Sequence, residues 1–454
     1  MSVTNAGTTT GPQLFPEIVE AILDYFNTEE QADRLILREC SQVSKHFAIK
    51  AQTMLFREIR IIDDEVLANL YGNHNRPASI TKRCKWLSEI MDRKPYLASS
   101  IQTVSITLGP MATWISHDVE FIAVMERLAR PESRFNTLLL RGTSDSVRIA
   151  DNRAFEKNVL IPFIAPRLTS LHIFLLSNAP IALISECPHL VELNLTHAQA
   201  ERISSLPRRS SKSPRPTIQR LRVKNSRAML ALLTSHPVLA RPFANFNALV
   251  EYSDEASGSW DFEAVYLVLM EAKNTLKVLK IMPPSDQGSL QATVTSTMPE
   301  YYLNIFRTFD FSQTQKLEKI HISVVFGDHH GPLVANLVQS FGSVSAPNVL
   351  QQIELTFHLR ADSQATTAAL SSAAWSSLRR DISRIAGDNS FKFILNFRAG
   401  HLPLSLNTPR ESPEELKTIR ELLAGEIDTI HSKYFQPSAE QPGLQIEVSC
   451  TMYS

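Results

Sequence analysis

One pattern recurs along this 454-residue chain: Leu-x-x-Leu-x-Leu, with Ile, Val or Phe allowed at the apolar places. It reads "IQTVSI" at Ile101, "FNTLLL" at Phe135, "LTSLHI" at Leu168 and "LVELNL" at Leu190. It returns as "IQRLRV" at Ile218, "LKVLKI" at Leu276, "LEKIHI" at Leu317 and "LQQIEL" at Leu350. Alternate side chains of a strand point to opposite faces, so the two later apolar positions of each copy face the core together. Helical stripes fill the intervals: Phe121, Val124, Met125 and Leu128; Leu333, Leu337 and Phe341; Leu370, Ala374, Leu378 and Ile382. A strand–helix unit this small buries its apolar side only against its neighbours, so the pattern predicts an α/β solenoid. Successive starts at 101, 135, 168, 190 and 218 differ by 34, 33, 22 and 28 residues, so the repeat is irregular. A weaker unit is expected at "FNALVEY", from Phe246. Beyond Leu350 the strands "FKFILNF" and "LQIEVSC" lack the full motif, which leaves an ordinary two-layer α/β domain open there.

The N-terminal part has another character. After thirteen mostly polar residues comes "LFPEIVEAILDYF". Pro16 suits the first turn of a helix, where no N–H partner is needed. Ile18, Val19, Ile22, Leu23 and Phe26 make its apolar stripe. Leu35, Ile36 and Cys40 suit a second helix, and Val43, Phe47, Ala51 and Met54 a third. Three short helices cannot bury enough surface alone, so a partner or a following domain must cover part of them.

These residues resemble an F-box, most closely that of fungal proteins. The family's opening Leu-Pro-x-Glu reads here as "LFPEIVEAIL"; its later elements read as "VSKHF" (Val43 to Phe47) and "LFREIRI" (Leu55 to Ile61). Phe15 stands where a proline is common and Phe47 where a tryptophan is usual. "APRLTSLHI" and "CPHLVELNL" likewise resemble the leucine-rich repeats that follow many F-boxes. The resemblance implies a disordered tail over 1–13, a three-helix bundle over 14–61 and a helical linker over 62–100. A leucine-rich-repeat-like solenoid would follow over 101–454; within it "LPRRSSKSPRP", Leu206 to Pro216, combines prolines, serines and four positive charges and reads from its composition as a mobile basic loop near 206–216. The resemblance further implies a substrate adaptor of a cullin–RING ubiquitin ligase, whose bundle docks on a Skp-type adaptor through Leu14, Phe15, Pro16, Ile18, Ile22, Val43 and Phe47. The alternative is a repeat scaffold whose bundle only caps the solenoid.

Composition narrows the rest. Lys+Arg and Asp+Glu are both 46, so no overall field draws the chain to nucleic acid or membrane. Four scattered cysteines form no CxxC pair, as in a reducing compartment. No signal-peptide pattern and no apolar run long enough to span a bilayer occurs, so a cytoplasmic or nuclear protein is expected. GxGxxG, GxxxxGK[ST], GxSxG and HExxH are absent, and the His329-His330 pair lacks companion ligands. No cofactor, no metal and no catalysis is the expectation.

A substrate face is also expected. The outward middle positions of the strands are Ser105, Leu139, His172, Asn194, Arg222, Lys280, His321 and Glu354. Arg220, Arg222 and Lys224, with Lys280 adjoining, would form a basic patch for an acidic or phosphorylated protein segment. The other reading is a solvated basic stripe balanced by acidic residues on neighbouring loops.

Overall fold

The computed structural model describes residues 16–26, 30–71, 78–144, 147–149, 152–200, 215–234, 243–255, 262–282, 310–326, 331–344, 348–360, 364–387, 389–400, 413–436 and 441–452. The chain divides into two compact units, residues 1–143 with 150–168, and residues 144–149 with 169–454. The expected tail over 1–13 and most of the basic loop near 206–216 lie outside the described residues, as does His329-His330.

In the first unit, α1 (Pro16–Leu23), α2 (Gln31–Cys40) and α3 (Lys45–Leu55) share a small core. Val19, Leu23, Leu37 and Ala51 are its buried members, and Phe26, Cys40, Phe47, Met54 and Leu55 pack against them. The Lys50 ammonium lies 3.0 Å from Asp24, tying α3 to the end of α1. Two expected stripes shift. Ser44 starts α3, because its hydroxyl accepts the Phe47 N–H at 3.4 Å and satisfies a first-turn donor. Val43 therefore precedes the helix and is exposed. In α2 it is Leu37 that enters the core, which turns Leu35 and Ile36 outward.

The bundle gives way to sheet earlier than expected. β1 (Glu58–Ile62), inside "LFREIRI", pairs in parallel with β2 (Thr103–Leu108), which pairs in parallel with β3 (Thr137–Gly142). Parallel neighbours need a long crossover. Residues 62–100 supply one: they hold α4 (Asp64–Tyr71), α5 (Ile80–Arg93) and α6 (Pro95–Ser100) between two paired strands. α5 is fastened to α7 (Val119–Leu128) by Arg127, which donates to both oxygens of Asp92 at 2.9 and 2.8 Å.

The second unit is a parallel sheet in sequence order. Its strands are β4 (Ser170–Ala179), β5 (Glu192–Ala200), β6 (Arg220–Lys224), β7 (Glu251–Glu255) and β8 (Val278–Met282), then β9 (Lys319–Phe326), β10 (Gln352–Arg360), β11 (Phe391–Gly400) and β12 (Leu444–Met452). Each pairs in parallel with the next. This is a solenoid-like α/β arrangement. β10 to β12 continue the same sheet in register, so the stretch beyond Leu350 is not a separate two-layer domain.

The register stacks the inward motif positions. Leu193, Leu221, Tyr252, Leu279, Ile320, Ile353 and Phe393 form one column, all essentially buried. Each such side chain contributes roughly 1.5–3 kcal/mol by leaving water. β7, which begins inside "FNALVEY", places Tyr252 and Asp254 inward in place of two aliphatics, which is why its motif is hard to recognise.

Two local departures matter. The expected single stripe from Leu370 to Ile382 is two helices, Gln364–Ser372 and Trp375–Ala386. Trp375 causes the break: its indole is buried, and its Nε1 donates to the Leu370 carbonyl at 2.7 Å, satisfying an acceptor freed where the first helix ends. Leu175, His197 and Asn225 all have φ near +50° (55°, 49° and 49°). They follow Phe174, Thr196 and Lys224, which are register partners, so one rung of three successive strands turns through left-handed backbone.

Candidate functional site

Among the described residues, a set of exposed apolar side chains on the bundle and a row of polar side chains on the second unit hold the residues expected to serve recognition. On the bundle, Val19 and Leu23 of α1 face the core, while Ile18 and Ile22, one turn apart, stay 45% and 41% exposed. Tyr25, Leu35, Ile36, Val43 and Ile49 are exposed as well. Of the residues expected to dock a partner, Pro16 opens α1 and Phe47 packs on the bundle core; Leu14 and Phe15 lie outside the described residues. Ile18, Ile22 and Val43 are thus the expected docking residues that present surface. Tyr25, Leu35, Ile36 and Ile49 join them. Sequence reasoning had given α2 the wrong apolar face, because three consecutive apolar residues leave its phase ambiguous.

On the second unit, the outward middle positions align across the strands. His172, Asn194, Arg222, Ser253, Lys280, His321 and Glu354 are consecutive register partners. Sequence reading placed six of these; Ser253 was missed because β7 lacks the motif. The flanking positions change the electrostatics of the row. Arg220 donates to Glu192 at 2.8 Å, and Lys224 lies 2.9 Å from Glu255. Glu251 takes Lys280 at 2.9 Å and Arg222 at 3.9 Å.

The expected basic patch is therefore a ladder of mixed charge, balanced from the adjacent strands and not from loops. Burial pushes the Glu251 carboxyl up, but the Lys280 hydrogen bond and the charges of Lys280, Arg222 and Arg220 outweigh it and hold it below the ordinary range. Burial lowers His172 and His321 so that both rings are neutral near pH 7; Glu192 and Glu354 oppose this only in part. The carboxylates were visible in the sequence as Glu192, Glu251 and Glu255, but only the register sets them beside the cations.

This row mixes cations, imidazoles and a carboxylate on its outward positions; His172 Nε2 lies 2.8 Å from the Ser170 hydroxyl, and Ser253 is buried. Burial pushes Cys84 up to about 12 and raises Cys187 and Cys450, so none is an activated thiolate. Among the described residues, no group of three or more His, Cys, Asp or Glu could hold a metal ion. No described helix is long and apolar enough to cross a membrane.

No protein-family model matches the chain, and no curated protein matches it. A solved structure, that of the Rad7 and Elc1 complex in yeast, aligns with 92% of this chain and 97% of its own at 11% identity and a TM-score of 0.31. At that score the likeness carries no argument about function.

Proposed function

We propose that this chain is a non-catalytic substrate-recognition adaptor of a cullin–RING ubiquitin ligase. The bundle binds a Skp-type adaptor, and the leucine-rich-repeat-like second unit binds a protein substrate along its outward strand face. The observation that supports this is the surface of the bundle. Seven of the sixteen exposed large hydrophobic residues among those described fall between Ile18 and Ile49. Scattered exposed apolar residues are ordinary, but such a concentration on three short helices and the turns beside them is what a covered interface leaves bare. It coincides with the segment that resembles an F-box. Such an adaptor forms no bonds itself; it raises the local concentration of substrate near the ubiquitin-carrying enzyme.

A second reading has its own observation. Gln52 on α3 accepts from the Tyr96 hydroxyl at 2.8 Å and from the Lys94 ammonium at 3.2 Å, so α3 is fastened to the α5–α6 corner as a cap would be. In that case the chain is a repeat scaffold outside any ligase. Co-expression with a Skp-type adaptor separates the two. The ligase reading expects a stoichiometric complex through size exclusion; a chain that elutes alone, folded, leaves the scaffold.

A further inference from the structure

The first unit contains a cleft of about 710 Å³ whose walls come from α2, α3, β1, α5 and α6. Its floor is apolar, with Leu55, Phe56, Ile59, Ile61, Leu87 and Leu97. Trp86 and Ile90, one turn apart on α5, stand at its side and remain 55% and 37% exposed. Six cations line it, Arg34, Arg38, Arg60, Arg83, Arg93 and Lys94, against a single lining carboxylate, Glu58. In a chain with equal numbers of acidic and basic residues this is a local concentration of one sign.

The cations are not equally committed. Arg83 is structural: it donates to the Ile62 carbonyl at 2.6 Å, Asp64 at 2.7 Å and the Ala78 carbonyl at 2.9 Å. Arg60 forks onto Glu58 at 2.7 and 3.3 Å. Arg93 reaches only Glu89, one turn earlier, at 3.5 Å with its side chain 79% exposed, a pairing that contributes little in water. Lys94 donates to a neutral amide, that of Gln52, at 3.2 Å. Arg38 is exposed and has no ion-pair partner among the described residues. Even with Asp64 and Glu89 counted, cations outnumber carboxylates two to one.

We infer that this cleft binds an acidic peptide segment of a partner protein, one that carries an apolar or aromatic anchor between carboxylates. The anchor would lie on the Leu55–Leu97 floor beside Trp86, and the flanking carboxylates would face Arg38, Arg93 and Lys94. Trp and Arg are the residues that most often dominate protein interfaces, and a central anchor with a charged rim is the common arrangement. A polyphosphate backbone fits less well: Glu58, Asp64 and Glu89 sit among the cations, and an apolar floor offers it nothing. None of Ile18, Ile22, Val43 and Phe47 lines the cleft, so the inference does not rest on the ligase reading.

Fluorescence anisotropy on the full-length protein tests it, with a dye-labelled peptide of aspartates and glutamates around a central Leu-Phe pair. Saturable binding that weakens with added salt is expected, and the same peptide with Asn and Gln for the acids should not bind. The combined Arg38→Glu and Arg93→Glu variant should weaken binding about tenfold or more through charge repulsion. Trp86→Ala should weaken it about tenfold through loss of the anchor contact. Arg38→Lys with Arg93→Lys should bind nearly as the parent does, which separates charge from any loss of fold. Equal affinity of parent and charge-reversed protein would overturn the proposal. So would binding of the neutral peptide, or displacement of the acidic one by a lower concentration of single-stranded oligonucleotide.

Discussion

The Ser323 hydroxyl and His358 Nε2 lie 2.9 Å apart on the neighbouring strands β9 and β10. Burial, then the charges of Arg398 and His321, push this imidazole from its ordinary 6.5 down to about 4. Between those values the unfolded chain takes up a proton that the folded one refuses. His358 therefore contributes stability that is complete above about pH 6.5 and is lost as the pH falls toward 4. The protein should melt at lower temperature near pH 5 than near pH 7. His358→Gln should remove on the order of 2 kcal/mol of that pH dependence. Superimposable pH profiles for parent and variant would contradict this account.

The exposed isoleucines of α1 predict a clean separation of binding from folding. Ile18→Glu with Ile22→Glu places charges where the side chains already meet water, so the melting temperature should stay within a degree or two of the parent. Binding to a Skp-type adaptor should fall by at least about a hundredfold, since an interface would have to bury two unpaired carboxylates. Isothermal titration beside a thermal melt reads both. Retained affinity would rule out docking through α1.

Asp63 should be a stability residue of the first unit. Its Oδ2 accepts from Trp114 Nε1 at 2.5 Å, its Oδ1 accepts the Glu65 N–H at 2.9 Å, and its side chain is buried. Asp63→Ala leaves two donors without their acceptor and should cost about 2–3 kcal/mol. Trp114→Phe should cost less, because the edge-on contact with Phe121 at 5.2 Å can persist. Calorimetry of both variants should rank them in that order; the reverse order would show that packing of the indole outweighs its hydrogen bond.

The ladder on the second unit predicts a measurable pair coupling. Glu251→Gln should destabilise the protein by about 1 kcal/mol, and adding Lys280→Gln should cost less than it does alone. A double-mutant cycle by urea unfolding should give a coupling of roughly 0.5–1 kcal/mol that shrinks in high salt. A coupling of zero would mean that Arg222 holds Glu251 equally well without the lysine.

The repeating strands were legible because each copy of Leu-x-x-Leu-x-Leu carries its own burial pattern; Leu193 with Leu195, and Ile320 with Ile322, are buried as the alternation requires. Two things were not legible. Charge balance across strands depends on register, which a single strand does not encode, so a balancing partner for Arg222 could be expected only on loops, whereas the register sets Glu251 of the adjacent strand near it. The phase of α2 was hidden because Leu35, Ile36 and Leu37 are all apolar, and only packing against Ala51 and Leu23 selects one of them. The cleft was illegible for a related reason: its cations come from residues 34 to 94, on α2, β1, α5 and the α5–α6 junction.

The rung at Leu175, His197 and Asn225 has a consequence for how such a repeat is recognised at all. Left-handed backbone disfavours leucine and is reached more readily by asparagine and histidine, yet Leu175, His197 and Asn225 adopt it side by side, with Asn225 Nδ2 3.3 Å from His197 Nε2. What passes from one unit to the next at this rung is a torsion angle, carried by a leucine in one strand and by polar side chains in the next two. A comparison that scores residue types is blind to such periodicity, however regular the fold that results from it.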